Sequence, residues 1–438
     1  MVSIQCPERH STADSLDRDA YRTTVPVLGL KAPPSKIGKY LKEDVLKRSL
    51  LNVPRIASVA KLADGERLIL LEVQSKEELP HDVQAFIASE GCDLVPHAIN
   101  LDYSYWTADD ILQSTLPESL CDGSPTGFTI TGHLAHLNLR DEYLPYKKLI
   151  GQVILDKNPA IRTVVNKLDT IDNQFRFFKM ELLAGEPDYI VEAHESDCRF
   201  TFDFSTVYWN SRLHTEHARL VSLFRPGEVV ADVFAGVGPF AIPAAKKGSL
   251  VVANDLNPKS SEYLAVNVES NHVAERVRVS NEDGRTFVER VAEEVWQRPF
   301  PALGPLQSKR EAKSRKRAGP TKEVSVDADN RVVRNISHFV MNLPDTAILF
   351  LDAFRGILKN ISNDPAFAEL YATMPMIHCH CFTRELEPAA AERDILERVE
   401  KVLGVRPSEA LNFHLVRSVA PNKEMYCISF RLPKEIAH

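Results

Sequence analysis

The sequence predicts an α/β protein, and two neighbouring patterns carry this prediction. Residues 229–234 form a largely apolar run that leads into Gly236 and Gly238, and a helix of small residues follows. A second apolar run, residues 250–253, is followed two positions later by Asp255. This order of elements is typical of a parallel sheet that binds a nucleotide: a strand, a glycine turn, a helix, and a second strand that is followed by an acidic residue. We therefore expect Asp255 to bind the ribose hydroxyls of an adenosine ligand.

The residues after the glycine turn indicate a ligand without a phosphate group. A dinucleotide site has a third glycine and an open helix N-terminus, whereas Pro239 and the bulky Phe240 stand here. A third predicted strand ends at Asp283 and Gly284, where an acid can recognise the edge of an adenine, and a fourth ends at Asn342. A NAD-type dehydrogenase is the main alternative at the level of the fold.

The N-terminal elements follow from the spacing of apolar residues and from turn residues. Residues 35–52 have helical spacing, residues 57–73 indicate two strands around a turn, and residues 81–91 indicate a helix that ends at Gly91. Beyond a Pro- and Gly-rich linker, residues 128–209 alternate in a way that favours a β-rich unit with one helix.

The C-terminal elements complete the predicted core. A helix is expected within residues 211–228, a fifth strand within residues 374–384 and a terminal hairpin within residues 411–432. Residues 378–381 read His-Cys-His-Cys, but in a strand the two histidines face one way and the two cysteines the other. A buried strand is therefore predicted here rather than a metal site, and no metal is expected.

Length and composition limit the class of protein. The chain has 438 residues, 44% hydrophobic and 26% charged, which predicts two or three globular domains without a membrane span. The net charge of −7 excludes a uniformly basic surface but not a local nucleic-acid site. Seven scattered cysteines and a poor match to any targeting peptide predict the cytoplasm or nucleus, with the mitochondrial matrix left open. A monomer is expected.

Three domains are predicted along the chain. They are an N-terminal α/β domain at residues 1–125, whose first 35 residues are expected to be poorly ordered, a small β-rich α+β domain at residues 126–206, and a core at residues 207–438. Within the core, residues 297–330 have few large apolar side chains and a basic cluster at residues 309–317. This composition predicts a disordered surface insertion. A role as an RNA-contacting or nuclear-targeting arm stays open.

Strand ends that carry Gly-x-Gly, Asp255, Asp283 and Asn342 in this order resemble the S-adenosylmethionine-dependent methyltransferases with a Rossmann-like core. More specifically, the block "SRLHTEHAR", followed by "NDLNP" and "MNLP", resembles the archaeal and eukaryotic tRNA (guanine-37-N1)-methyltransferases. The resemblance covers about residues 129–432. It implies a mixed seven-stranded sheet with a reversed last strand, S-adenosylmethionine as cofactor, and tRNA as partner, with the N-terminal domain contacting the tRNA body.

The resemblance also implies roles for individual residues. Glu216 matches the general base of the family, Arg176 the arginine that activates the substrate, and Asn342 the asparagine that positions the base. The chemistry requires these types, because guanine N1 must lose a proton as negative charge develops on O6. The implied cofactor-binding residues are Tyr208, His217, Gly236, Gly238, Asp255, Leu256, Asp283, Gly284 and Asn342.

Two other functions remain as alternatives. One is the related enzyme that transfers the aminocarboxypropyl group of the same cofactor during wybutosine synthesis. The other is a catalytically silent RNA-binding module, which would not need Asp255 and Asp283 alongside a matched base. The combination of Glu216, Arg176 and Asn342 favours methyl transfer over the first of these.

Overall fold

The computed structural model describes residues 4, 16–62, 65–121, 123, 125, 127–168, 179–303 and 332–438. Arg176 and residues 304–330 of the predicted insertion therefore lie outside the described residues, as do most of the first 15 residues. The chain divides into two compact units. The first comprises residues 1–130, 135–167 and 181–187, and the second comprises residues 131–134, 168–180 and 188–438. The three domain boundaries drawn from the sequence stay a prediction.

The first unit contains an antiparallel sheet in the order β2-β3-β1-β4. Its strands are β1 (Thr23–Ala32), β2 (Val59–Lys61), β3 (Arg67–Leu71) and β4 (Asp93–Leu101), and its helices are α1 (Pro34–Tyr40), α2 (Asp44–Lys47) and α3 (His81–Glu90). The predicted strand pair is confirmed, as is the helix ending at Gly91, which has a left-handed φ of 63°. The predicted helical stretch at residues 35–52 is two short helices, because Glu43 is extended (ψ 120°) and begins a new one.

A second four-stranded sheet has the order β5-β6-β7-β8. Its strands are β5 (Thr129–Thr131), β6 (Leu134–Leu137), β7 (Thr163–Lys167) and β8 (Met180–Gly185), with helices α4 (Ala108–Thr115) and α5 (Lys147–Lys157) nearby in sequence. Ile111 of α4 and Ile150 of α5 are fully buried in one apolar cluster with Val164 of β7. Short 3-10 helices lie at Asp19–Tyr21, Lys76–Glu78, Glu118–Leu120 and Asp141–Tyr146.

The second unit is built on a seven-stranded mixed sheet in the order β13-β12-β11-β16-β17-β19-β18. The sheet strands are β11 (Val229–Asp232), β12 (Leu250–Asn254), β13 (Val277–Ser280), β16 (Ile336–Met341), β17 (Met376–Thr383), β18 (Asn412–Ala420) and β19 (Lys423–Arg431). Two short pairs stand beside it, β9 (Ile190–Glu195) with β10 (Cys198–Asp203) and β14 (Phe300–Pro301) with β15 (Val332–Val333). Helices are α6 (His214–Val221), α7 (Ala241–Lys246), α8 (Pro258–Ser270), α9 (Gly284–Gln297), α10 (Phe367–Leu370), α11 (Pro388–Leu403) and α12 (Lys434–Ala437), and 3-10 helices lie at Ser211–Leu213 and Ala347–Phe354.

The direction of the strands confirms the predicted sheet. β13, β12, β11, β16 and β17 run parallel, whereas β19 is antiparallel to both β17 and β18. The last strand of the chain is thus inserted between the fifth and sixth strands. Because the five parallel strands end at one edge of the sheet, the residues that follow β11, β12, β13 and β16 share that edge.

The cysteines and histidines of β17 lie on opposite faces of the strand, as predicted. Cys379 and Cys381 are fully buried in the main apolar cluster of the unit. His378 and His380 are also buried but contact other polar groups on the opposite face. The predicted buried strand is therefore confirmed. Among the described residues, no helix is long and apolar enough to cross a membrane.

Candidate active site

The glycine turn after β11 has the geometry expected for a close approach of a ligand. Gly236 and Gly238 have φ values of 55° and 101°, which favour glycine. A Cβ atom on Gly238 would lie 2.7 Å from Ile242 Cδ1 and from Leu264 Cδ1, whereas a Cβ on Gly236 would meet no atom within 4 Å. Gly238 is therefore required by packing, and Gly236 borders open space.

Asp255 follows β12 and supports the glycine turn. Its Oδ2 accepts a hydrogen bond from the Gly236 N–H at 2.8 Å, and its Oδ1 accepts one from the Asn257 N–H at 2.9 Å. Burial raises the pKa of the carboxyl group, although these two N–H groups oppose the shift. Each oxygen still has a second lone pair, so both can accept the ribose hydroxyls that the sequence analysis assigns to Asp255.

Asp232, the last residue of β11, is a candidate that the sequence analysis missed. Its side chain is fully buried, and neither carboxylate oxygen has a hydrogen-bond partner among the described residues. Burial, and then the charge of Asp255, raises the pKa of Asp232 to about 8, although the charge of His380 and the nearby N–H of Phe234 oppose the shift. A buried carboxyl without a partner indicates a missing cationic or donor group. S-Adenosylmethionine would supply one, because its methionine part carries an ammonium group and a sulfonium.

The site residues predicted after the second and third parallel strands, β12 and β13, make mainly structural contacts. Asp283 caps α9, where its Oδ1 accepts hydrogen bonds from Arg285 N at 2.9 Å and Thr286 N at 3.4 Å. Its Oδ2 remains free of these bonds. A Cβ on Gly284 would lie 2.6 Å from the ring of Phe234, so glycine is needed here for packing against the glycine turn. The Leu256 carbonyl accepts a bond of 3.0 Å from the Asn281 side chain.

Asn342 directly follows β16, at the same edge of the sheet. Its Oδ1 is buried and has no hydrogen-bond partner among the described residues. Guanine presents N–H donors on its N1 and N2 edge, and an unpartnered amide oxygen fits such a donor. The role of positioning the base stays a prediction for Asn342.

His217 and Tyr208 lie in different environments. His217 is buried, and its Nδ1 bonds to Glu195 Oε1 at 2.5 Å. Its ring contacts Phe240, just after the glycine turn, edge to face at 4.7 Å between centroids. Tyr208 is 45% exposed, and its hydroxyl accepts a bond of 3.4 Å from Asn210. His217 thus borders the glycine turn, and Tyr208 is available to a ligand.

Glu216, on the first turn of α6, is a buried carboxylate surrounded by donors. Arg219 Nε bonds to its Oε2 at 2.6 Å, Arg219 Nη2 to its Oε1 at 2.7 Å, and His380 Nε2 to its Oε1 at 2.7 Å. Burial alone raises the pKa of Glu216, but the hydrogen bonds from Arg219 and His380 outweigh it and lower the pKa to about 2. Glu216 is therefore ionised at neutral pH, as a general base must be before it accepts a proton.

Glu216 and the glycine turn share neighbours. The His380 ring, which bonds to Glu216, lies 5.8 Å from the ring of Phe240 between centroids. The charges of His380 and Asp232 also act on each other. The ionised carboxylate and the turn that borders the open space therefore belong to one site.

The same carboxylate belongs to a group of residues of metal-binding type. Glu216, His380 and Cys427 are all buried, and one ligand atom of each lies within 4.8 Å of the others. The guanidinium of Arg219, however, already bonds to both oxygens of Glu216. A cation placed there would face this positive charge, so the group is better described as an ion-paired carboxylate with two polar neighbours.

Sequence reasoning missed three residues of this site: Asp232, Arg219 and His380. The sequence does contain a pattern that indicates Asp232, because an acidic residue in an apolar run shortly before the glycine turn is unusual. Arg219 stands three positions after Glu216, a spacing that joins side chains on a helix. The contact of His380 with Glu216 spans 164 positions and has no local signal.

The sheet order, the glycine turn, Asp255 and the unpartnered Asp232 together define a Rossmann-like S-adenosylmethionine-dependent methyltransferase. The comparisons agree with this class. The family model described as the TRM5/TYW2 methyltransferase domain matches residues 191–298, and that of the TYW2 N-terminal domain matches residues 108–188. The chain belongs to the tRNA (guanine(37)-N(1))-methyltransferase family, as its relatives show.

The relatives match over nearly their whole length. The chain is 55% identical to the tRNA (guanine(37)-N(1))-methyltransferase of Coprinopsis cinerea, covering 98% of this chain and 96% of the relative. It is 44% identical to the enzyme of the same name from Schizosaccharomyces pombe, covering 96% and 94%. Among solved structures, Trm5b from Pyrococcus abyssi is similar with a TM-score of 0.56 and 25% identity, covering 92% of this chain and 98% of that one.

Proposed function

We propose that the protein transfers the methyl group of S-adenosylmethionine to N1 of guanosine 37 in tRNA. The observation that carries the proposal is the buried, ionised Glu216 beside the glycine turn of the cofactor site. The names of the full-length relatives support the substrate. A monomer acting in the cytoplasm and nucleus is part of the proposal. Light scattering and fluorescence microscopy test these two points, with a mitochondrial signal as the alternative outcome.

When bound, S-adenosylmethionine supplies a methyl group activated by a positive sulfur. Asp255 and Asp232 would hold the ribose and the cationic methionine part, and Gly236 borders the space that the ligand needs. Asn342 would orient the guanine through its unpartnered Oδ1. Its neighbour Asp345 is already paired with Lys423 at 3.4 Å.

In the proposed reaction, Glu216 removes the N1 proton as the methyl group arrives. Negative charge that develops on O6 is stabilised by the guanidinium of Arg176, in the role implied by the family resemblance. N1 lies on the pairing edge of guanine, so the base must be unpaired, and an anticodon loop provides this at low cost. The reaction needs no metal, because the methyl donor is already activated.

Nucleoside mass spectrometry of unmodified tRNA, incubated with the protein and S-adenosylmethionine, tests the product. We expect 1-methylguanosine. An aminocarboxypropyl adduct would establish the alternative transferase, and unmodified tRNA that still binds would establish a silent RNA-binding module. Either result would overturn the proposed function.

Single-turnover kinetics test the base. Glu216→Gln should lose roughly 10²–10⁴-fold in the rate of methyl transfer while keeping its affinity for tRNA and cofactor. Glu262→Gln is the control, because Glu262 is an exposed helix residue that forms a surface ion pair with Lys259. A Glu216→Gln enzyme that retains the wild-type rate would remove Glu216 from the mechanism.

A further inference from the structure

The carboxylate of Glu216 is held by three side chains from three elements. Arg219 belongs to the same helix, His380 lies on β17, and His414 lies on β18. The first two make hydrogen bonds of 2.6–2.7 Å, whereas His414 Nε2 is 3.5 Å from Oε2. Each carboxylate oxygen has two lone pairs. The partners can therefore be assigned to individual lone pairs.

The two oxygens of Glu216 are not equivalent. Oε1 accepts one bond from Arg219 Nη2 and one from His380 Nε2, both at 2.7 Å, so both of its lone pairs are used. Oε2 accepts one short bond from Arg219 Nε and has only the long contact with His414. His414 is 41% exposed at its side chain, whereas His380 is fully buried. The lone pair that is left without a short hydrogen bond is therefore on Oε2.

His380 is placed for this contact with Glu216. Its ring is completely buried on β17, and Nδ1 has no hydrogen-bond partner among the described residues. Burying an imidazole with one nitrogen unpartnered costs free energy relative to an apolar side chain. Its neighbours Cys379 and Cys381 lie in the apolar core on the other face of the strand. The His380 ring bonds to Glu216, and the Cys427 thiol is a second polar neighbour of the same ring.

We propose that His380 is a positioning residue for methyl transfer, which occupies Oε1 of Glu216 and thereby directs Oε2 towards the N1 proton of guanine. This inference rests on the proposed function. The bond between N1 and the methyl carbon forms as the bond between that carbon and sulfur breaks, and the electron pair of the broken bond stays on sulfur. The N1 proton goes to Oε2, whose loose contact with the exposed His414 is replaced by the substrate.

The groups around Glu216 define how its titration should respond. Arg219 of α6, His380 of β17 and His414 of β18 contact the carboxylate, and Cys427 of β19 lies within 4.8 Å of both Glu216 and His380. The hydrogen bond from His380 is one of the causes that lower the pKa of Glu216. Loss of that donor should raise the pKa of Glu216. The pH at which the rate falls on the acid side should then move upward.

Three substitutions of His380 separate the hydrogen bond from packing. His380→Gln keeps an N–H donor close to the position of Nε2, His380→Asn has a side chain too short to place it there, and His380→Phe keeps a ring without a donor. His378→Phe is the matched control, because His378 is buried two residues away on the same face and bonds to His338 and Ser429 instead of Glu216. All four proteins are compared with wild type for folding, for affinity and for single-turnover rate against pH.

The proposal predicts a specific pattern. His380→Asn and His380→Phe should lose roughly ten- to hundredfold in single-turnover rate, with the affinities for tRNA and cofactor unchanged. The acid limb of their pH–rate profile, where the rate falls at low pH, should move to higher pH. His380→Gln should recover most of the rate and the wild-type limb. His378→Phe should lower the melting temperature without moving the limb. If His380→Phe does not fold, the comparison of His380→Gln with His380→Asn still tests the proposal.

Equal rates for His380→Gln and His380→Asn, or a His380→Asn rate that falls at the same acid pH as the wild-type rate, would overturn the positioning role. Wild-type protein that makes no 1-methylguanosine in the same assay would instead refute the proposed function. The two failures are distinguishable, because the first requires an active wild type.

Discussion

Asp232→Asn should stabilise the ligand-free protein above neutral pH and weaken cofactor binding. Asp232 is fully buried at the end of β11, with no partner for either oxygen among the described residues. Burial and the nearby charge of Asp255 raise its pKa from 3.8 to about 8. Asparagine has nearly the same shape but no charge, so the substitution removes the cost of ionising a buried group.

The sign of the pH dependence follows from proton binding. Between about pH 4 and about pH 8, the folded protein keeps the proton on Asp232 while the unfolded chain has lost it. The free energy of unfolding of the wild type therefore falls as the pH rises through this window. The slope approaches about 1.4 kcal/mol per pH unit, or on the order of 3 kcal/mol between pH 5 and pH 8.

Denaturant unfolding of both proteins at about pH 5, 6, 7 and 8, without cofactor, measures this effect. Groups that titrate equally in both proteins cancel in the difference, so the advantage of Asp232→Asn should grow steadily with pH. Saturating S-adenosylmethionine should then stabilise the wild type more than the variant, because only the wild type offers a carboxylate to the cationic ligand. A difference in unfolding free energy that stays constant with pH would show that Asp232 does not titrate in this window, and would refute the reasoning.

Three further predictions concern the cofactor loop and the substrate. Asp255→Ala should weaken S-adenosylmethionine binding about tenfold or more in calorimetry, since it loses charge-assisted bonds; unchanged affinity would contradict its assignment. Gly238→Ala should cost about 1–3 kcal/mol of stability, because its φ is 101° and its Cβ would clash. Gly236→Ala should cost less stability, because its φ is also positive but its Cβ would meet no atom within 4 Å, and it should reduce cofactor affinity. The reverse order of stability in denaturant unfolding would be evidence against this geometry. Arg176→Ala should lower the single-turnover rate more than tRNA affinity, and a loss confined to affinity would make Arg176 a phosphate contact.

The features predicted best from the sequence depend on local patterns. Apolar runs such as Leu250–Asn254 become buried parallel strands, and the glycine turn after β11 adopts the expected left-handed backbone. The predicted terminal hairpin is confirmed, and its strands β18 and β19 are separated by only two residues, Pro421 and Asn422. Its insertion beside β17 came from the family resemblance, since periodicity does not specify which strands pair.

The features that were missed depend on contacts between distant residues. His380 alternates with two core cysteines and has no local mark that distinguishes it from His378, yet only its hydrogen bond reaches Glu216. The raised pKa of Asp232 arises from burial, which depends on the completed sheet. Asp283 was predicted for its charge, but the structure also uses it as the N-cap of α9.

The central claim is methyl transfer to N1 of guanosine 37, and position-resolved mass spectrometry of tRNA tests it most directly. Two unmodified transcripts that differ only in guanosine or adenosine at position 37 are incubated with the protein and S-adenosylmethionine, digested and sequenced by mass. The account predicts one methyl group on N1 of guanosine 37 and no product on the adenosine transcript, because adenine N1 carries no proton and its ring has no O6. Methylation of the adenosine transcript, or of a different nucleotide in the guanosine transcript, would contradict it.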